Sequence, residues 1–388
     1  MIPLSVPNFE GNEEKYVLDA VSQGWVSTGG AYVTRLEESV ASFVGVSDAV
    51  ACQSGTAALH LALIESGVTA NDAVIVPTLT FIAAVNPVRY IGAMPIFMDC
   101  DDSLCIDPIK LRSFCLEECD RTENGLIHRE SGKIIKAIVI VHVFGNLADM
   151  EAILKIAHEF NLKIIEDATE ALGSRFESGP LAGMYAGTIG DFGAYSFNGN
   201  KIITTGGGGM LVSTDAISLE HARYLSTQAK DDPLFYEHAE VGFNYRMTNV
   251  QAAIGVAQME ELEDFIIRKN RNWEKYNEIL SECTSGALLS FRDDTRSNKW
   301  FYSFLCNSAL SSEEMHSAIS YMHDCGIQTR PIWGLISDQP PYQSFPTYAI
   351  ERARYYYSRV INIPCSTNIT DPEIETVCDA LKELLDHV

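Results

Sequence analysis

The sequence predicts an α/β fold, a mostly parallel sheet sandwiched by helices, followed by a smaller C-terminal α+β domain. Three observations carry that prediction. From about Ser47 to Ser213, short β-branched runs alternate with longer amphipathic stretches, the rhythm of a parallel sheet whose crossovers are helices. Thr248–Ile267 then spaces Val250, Ala253, Val256, Met259 and Leu262 helically, and its charge-rich continuation to Leu280 lacks Pro and Gly, so it reads as one long connecting helix. Beyond about Thr284 the pattern becomes a mixture of helices and strands. A chain of 388 residues also exceeds a single simple core. The boundary is expected near Asp264, dividing a large domain of residues 1–263 from a small one of residues 264–388.

In order, strands are expected at Ala49–Ala51, Ala73–Pro77, Met94–Met98, Ile135–His142, Lys163–Glu166, Phe192–Ser196 and Gly209–Ser213. Each is a short apolar run bounded by turn formers. Between them, helices are expected at Thr56–Ser66, Phe81–Ile91, Asp149–Phe160 and Ser218–Ser226. Thr122–Lys133, polar and containing Gly, is expected to be a surface loop. The C-terminal part predicts a strand at Phe301–Cys306 and helices at Ser312–Cys325 and Asp371–Leu385. No internal repeat or low-complexity tract is present.

A formal charge of −24 argues against nucleic acid or an anionic membrane as partner, since both attract proteins through basic fields. A small anionic substrate stays open, because a few local cations override the global sign. The ten cysteines (Cys52, Cys100, Cys105, Cys115, Cys119, Cys283, Cys306, Cys325, Cys365, Cys378) are scattered without metal spacing and read as reduced thiols of a cytoplasmic protein. The start lacks a secretory pattern, and no apolar run approaches the roughly 20 residues that a membrane helix needs.

The strongest chemical pairing is Asp167, ending the apolar strand KIIED, with Lys201 in SFNGNK. Pyridoxal 5'-phosphate needs both on one rigid platform: a lysine amine for the Schiff base, and a carboxylate that keeps the pyridine nitrogen protonated. Either residue alone is unremarkable, since Asp after a strand forms turns and most lysines are solvated. Cys52-Gln53-Ser54-Gly55-Thr56 carries a strand through a small-residue turn into the helix AALHLAL, offering free N–H groups and hydroxyls to a phosphate, though such a turn is often only a cap. No other phosphate-loop pattern is present, which disfavours an ATPase or a simple nicotinamide dehydrogenase. Phe81, just past the strand ending at Pro77, suits a planar ring, with core packing the plainer explanation. Gly206-Gly207-Gly208-Gly209 marks either a closely approached loop or a flexible turn.

Together SGTAALHLAL, PTLTF, EDATEALGS, SFNGNK, TTGGGGM and GFNYRMTNVQAAIG, in this order and with GWVSTG ahead of them, resemble the DegT/DnrJ/StrS family of sugar aminotransferases. The resemblance implies a fold type I pyridoxal-phosphate transferase working as a homodimer with active sites at the subunit interface. It implies Lys201 as the Schiff-base and proton-transfer lysine, Asp167 on the ring nitrogen and Phe81 stacked on the ring. Ser54, Gly55, Thr56 and Ser196 would hold the phosphate, and Asn244 would reach it from the other subunit, with Arg246 nearby. Arg246, Arg330 and Lys230 are candidates for the nucleotide diphosphate, and Thr28 and Trp333 for sugar-side walls.

Two positions depart from the family pattern. Glu170 stands where many relatives have Gln beside the cofactor hydroxyl, and a carboxylate there repels a phenolate unless it is protonated or turned away. Asn198 stands where relatives have His; it hydrogen-bonds but does not titrate near neutrality. Relatives lacking the lysine are sugar dehydratases, so Lys201 favours transamination. DATEALGS with SFNGNK resembles the subgroup making UDP-4-amino-4,6-dideoxy-N-acetylglucosamine from its 4-keto precursor and L-glutamate, on routes to bacillosamine or legionaminic acid. The alternatives are a regulatory protein that binds cofactor or sugar nucleotide without turnover, and a different fold type I reaction.

Overall fold

The computed structural model describes residues 1–232 and 234–384. Its main sheet runs in the order Ala49–Cys52, Gly209–Ser213, Phe192–Ser196, Lys163–Asp167, Ile134–Val141, Asp72–Pro77, Met94–Met98, with Thr347–Tyr348 added at that edge. Neighbours pair in parallel except at Gly209–Ser213, which is antiparallel to both strands beside it. Asp72–Pro77 and Gly209–Ser213 are buried along their whole length, which is why they read as continuous apolar runs. The predicted strands all form, with ends shifted by at most one residue.

The helices Gly55–Glu65, Met150–Phe160 and Ala216–Ser226 begin at the side-chain caps Ser54, Asp149 and Asp215. The helix expected over Phe81–Ile91 is instead two short pieces, Ile82–Ala84 and Asn86–Tyr90. Pro87 explains the break: it has no N–H to continue a helix from the preceding turn, and it sits in the first turn of the second piece, where none is needed. Thr122–Lys133 is not simply a loop. Cys119–Thr122 and Gly125–His128 form a hairpin that joins Ile134–Val141, because Leu126 and His128 alternate inward while Thr122, Glu123 and Asn124 make the exposed turn.

The long helix is continuous over Asn249–Ile279, opened by a capping box between Thr248 and Gln251, and it passes through residue 264. It packs against Glu13–Ser22 and Ala31–Val44, two helices the sequence reading does not anticipate. A second, antiparallel sheet holds Gly286–Leu288, Tyr302–Cys306, Val360–Ile363 and Arg330–Pro331. The first residues lie against this half: Ile2 bonds Gly326 and Gln328, and Cys365 donates to Leu4. Helices follow at Ser312–Asp324 and Asp371–Glu383; the expected end of the latter at Leu385 lies outside the described residues. No helix among the described residues is long and apolar enough to cross a membrane, and they hold no cluster of metal-ligating side chains.

Candidate active site

The parallel strands end together, and a cavity of about 380 Å³ opens beyond their carboxyl ends. It gathers Ser54, Gly55, Thr56, Phe81, Asp167, Glu170, Ser196, Asn198, Lys201 and Trp333 from five separate segments. Asp167 is fixed because its strand is fixed. The preceding Glu166 is fully buried and accepts the N–H groups of Gly187, Ile189 and Gly190, and it pairs with His142 Nε2 at 2.8 Å. The Ala148 N–H on His142 Nδ1 assigns the proton to Nε2.

Asp167 is buried, and one oxygen, Oδ1, accepts the Thr169 N–H at 3.0 Å. Burial pushes its carboxyl above the ordinary range, against that bond and the charge of Lys201, so a cationic partner is what it lacks. Lys201 Nζ lies 3.8 Å from Glu170 Oε1 and 3.9 Å from the centre of the Trp300 ring. Burial lowers its pKa, with Glu170 and Asp167 pulling the other way, which raises the fraction of free amine near neutrality. Glu170 is buried too, and burial carries its carboxyl up to about 7 despite Lys201 and the Phe144 N–H that it accepts at 2.8 Å. A carboxyl held there is about half protonated at neutral pH, which lessens the repulsion expected beside a phenolate.

The turn into Gly55–Glu65 is built by close contact. Ser54 Oγ caps Ala57, and the first N–H groups of a helix have no intrahelical acceptor. A Cβ on Gly55 would stand 2.8 Å from Thr169 Cγ2 and 3.0 Å from Ser196 Cβ, so only glycine fits. The glycine run is likewise a closely approached loop: a Cβ on Gly209 would lie 2.5 Å from the Ser54 carbonyl carbon and the Gly55 nitrogen.

The other predicted residues are elsewhere. Arg246 is engaged with buried Glu37, its Nη2 3.1 Å from Oε2. Asn244 is exposed, its Oδ1 accepting from Gln228. Thr28 sits in the exposed loop before Gly30, a loop that Asn249 pins through Trp25 O at 2.6 Å. Arg330 is exposed, with Nη1 on Thr329 O, and Lys230 Nζ stands 5.9 Å from the Tyr236 ring centre.

Sequence reading missed Asn200, Trp300 and Phe301, which also line the cavity. Asn200 had a signal, lying beside Lys201, and its Oδ1 is buried without a partner. Trp300 and Phe301 had none, because they enter from a segment distant in sequence. Asn298 brings them in by donating to the carbonyls of Glu170 and Leu172 at 3.0 Å each, while its Oδ1 accepts the Trp300 N–H.

These groups fit pyridoxal phosphate. An under-stabilised buried carboxylate suits the ring nitrogen, a depressed lysine suits the aldehyde, and a glycine-tight helix start with Thr56 and Ser196 suits the phosphate. Phe81, 52% exposed at the mouth, offers a ring face.

A model described as the DegT/DnrJ/EryC1/StrS aminotransferase family matches residues 7–382. A GDP-perosamine synthase of Caulobacter vibrioides is 35% identical, over 99% of this chain and 98% of its own. Another, from Escherichia coli O157:H7, is 34% identical over 98% of each. Among solved structures, Helicobacter pylori PseC, an aminotransferase involved in the biosynthesis of pseudoaminic acid, gives a TM-score of 0.87 at 21% identity over 99% of both chains, a likeness of fold.

Proposed function

Since the chain belongs to the DegT/DnrJ/EryC1/StrS aminotransferase family and is a pyridoxal-phosphate-dependent enzyme of that kind, we propose that it moves the amino group of L-glutamate to the 4-keto carbon of a nucleotide-linked 4-keto-6-deoxy sugar. The observation that carries this reading is the convergence of Lys201, Asp167 and the Ser54–Thr56 turn on one cavity. When bound, pyridoxal phosphate supplies an electron sink next to the carbon that loses or gains a proton.

The protein's part is to bind, orient and move that proton. Lys201 Nζ, its pKa lowered by burial, takes the proton from Cα of glutamate in the first half-reaction and delivers one to the sugar carbon in the second, acting alternately as base and acid. Asp167 would hold the ring nitrogen, Phe81 would offer its face to the ring, and Gly55, Thr56 and Ser196 would hold the phosphate. Asn198, exposed at the cavity, would hydrogen-bond there without titrating. In the proposed homodimer the exposed Asn244 reaches the partner's phosphate. With Arg246 taken up by Glu37, Arg330 and Lys230 are the cations offered to the diphosphate, and Thr28 and Trp333 the walls offered to the sugar.

The sugar nucleotide carries two readings. Residues 167–174 and 196–201 resemble the subgroup acting on UDP-4-keto-6-deoxy-N-acetylglucosamine, whereas relatives named GDP-perosamine synthase favour a GDP-linked acceptor. Incubation with glutamate and UDP-, dTDP- and GDP-linked 4-keto-6-deoxy sugars, followed by product mass, separates them. A product in which an amine replaces the keto oxygen, formed from the UDP-linked N-acetyl sugar alone, supports the first, and one formed from the GDP sugar alone the second. Glutamate consumption with no aminated sugar from any member overturns the proposal.

A further inference from the structure

We propose that Trp300 is the positioning residue for Lys201: its ring face holds the free ε-ammonium, and its indole N–H holds the turn from which that side chain rises. The inference rests on Lys201 being the cofactor's lysine. Nζ lies 3.9 Å from the Trp300 ring centre, within the range of a cation–π contact. The Trp300 Nε1–H donates to the carbonyl of Asn200, the residue before Lys201, at 2.6 Å. One side chain therefore grips both the backbone and the tip of the lysine.

Trp300 is itself held on several sides. Its N–H donates to Asn298 Oδ1 at 3.0 Å, and its carbonyl accepts from Lys269 Nζ at 2.7 Å. Lys269 is a buried cation of the long helix, and it also donates to the Cys365 carbonyl. The ring stacks on Phe301 with centroids 4.0 Å apart and lies tilted, 6.1 Å between centroids, against Phe144, whose N–H donates to Glu170. An indole fixed at its backbone, its edge and one face has little freedom to follow the lysine, so the lysine returns to it.

Such a group is needed because Lys201 must be free in both half-reactions yet must not wander. The charged groups facing it are Glu170 and Asp167. Burial brings Glu170 to about 7, so its charge changes across the working range, and Asp167 would be taken up by the ring nitrogen. The π face of Trp300 does not titrate and attracts Nζ whenever it is protonated.

The test uses enzyme converted by glutamate to the form in which the lysine is free. Trace acetylation across pH, read by mass spectrometry on the Lys201 peptide, gives the pKa of Nζ in wild type, Trp300→Phe and Trp300→Leu. Loss of the ring face is expected to lower that pKa by about one unit in the Leu variant and by less in the Phe variant, which keeps a face. Equal values in wild type and Leu overturn the proposal, as does a Phe variant that falls as far as Leu. Should Leu not fold, Trp300→Met takes its place. The same acetylation on cofactor-free protein reads the Trp300 contact even if borohydride shows that another lysine carries the cofactor, so the two failures are distinct.

Discussion

Replacing Glu170 with Gln tests whether this buried acid is protonated in the folded protein. The side chains are nearly the same shape, and Gln keeps an oxygen for the Phe144 N–H, which Glu170 accepts at 2.8 Å. In the wild type, burial raises the carboxyl from 4.5 to about 7. Between those values the folded protein binds a proton that the unfolded chain has released. The stability tied to this position is therefore complete below about 4.5 and drains away as pH rises toward 7. At about 1.4 kcal/mol per unit the full loss is roughly 3–4 kcal/mol, and sharing of the titration with Lys201, together with the limited pH range, brings it to about 2–3. Gln has no such slope. Urea unfolding of cofactor-free protein at fixed protein concentration, from pH 5 to 8, should show the variant gaining about 2–3 kcal/mol on the wild type over that range. A stability difference that stays constant within about 0.5 kcal/mol would refute the reasoning, because an ordinary carboxylate is already ionised throughout.

Two further substitutions probe the cofactor's supports. Asp167→Asn removes the charge paired with the ring nitrogen; breaking a buried pair costs roughly 3–5 kcal/mol, so kcat should fall about a hundred- to a thousandfold or more while the KM for glutamate moves little. Stopped-flow measurement of the glutamate half-reaction checks this, and a fall within about threefold contradicts it. Gly55→Ala places a Cβ 2.8 Å from Thr169 Cγ2 and 3.3 Å from the Tyr195 carbonyl oxygen. Overpacking of about 1–3 kcal/mol at that turn should weaken cofactor binding about ten- to a hundredfold, read by absorbance titration. Unchanged affinity would mean that the turn does not hold the phosphate.

What the sequence made legible is local. The strand ends carrying Asp167 and Ser196, the capping turn at Ser54 and the long helix to Ile279 were all readable, because periodicity and caps act over a few residues. Pro87 is visible in the sequence within Phe81–Ile91, and it divides the helix expected there. The glycine run could not be resolved from sequence, since its reason is a contact between Gly209 and the Ser54–Gly55 peptide, far apart along the chain. Trp300 and the buried Lys269 were invisible for the same cause: their roles come from carbonyls and rings supplied by other segments. The state of Glu170 was legible only as a question, because burial decides its charge and burial is a tertiary property.

Chemical trapping tests the central claim most directly. Holoenzyme reduced with borohydride and digested should carry the reduced cofactor on the peptide containing Lys201, with loss of the visible band in parallel. Cofactor fixed to any other lysine, or an unmodified residue at position 201 after complete reduction, would contradict the account.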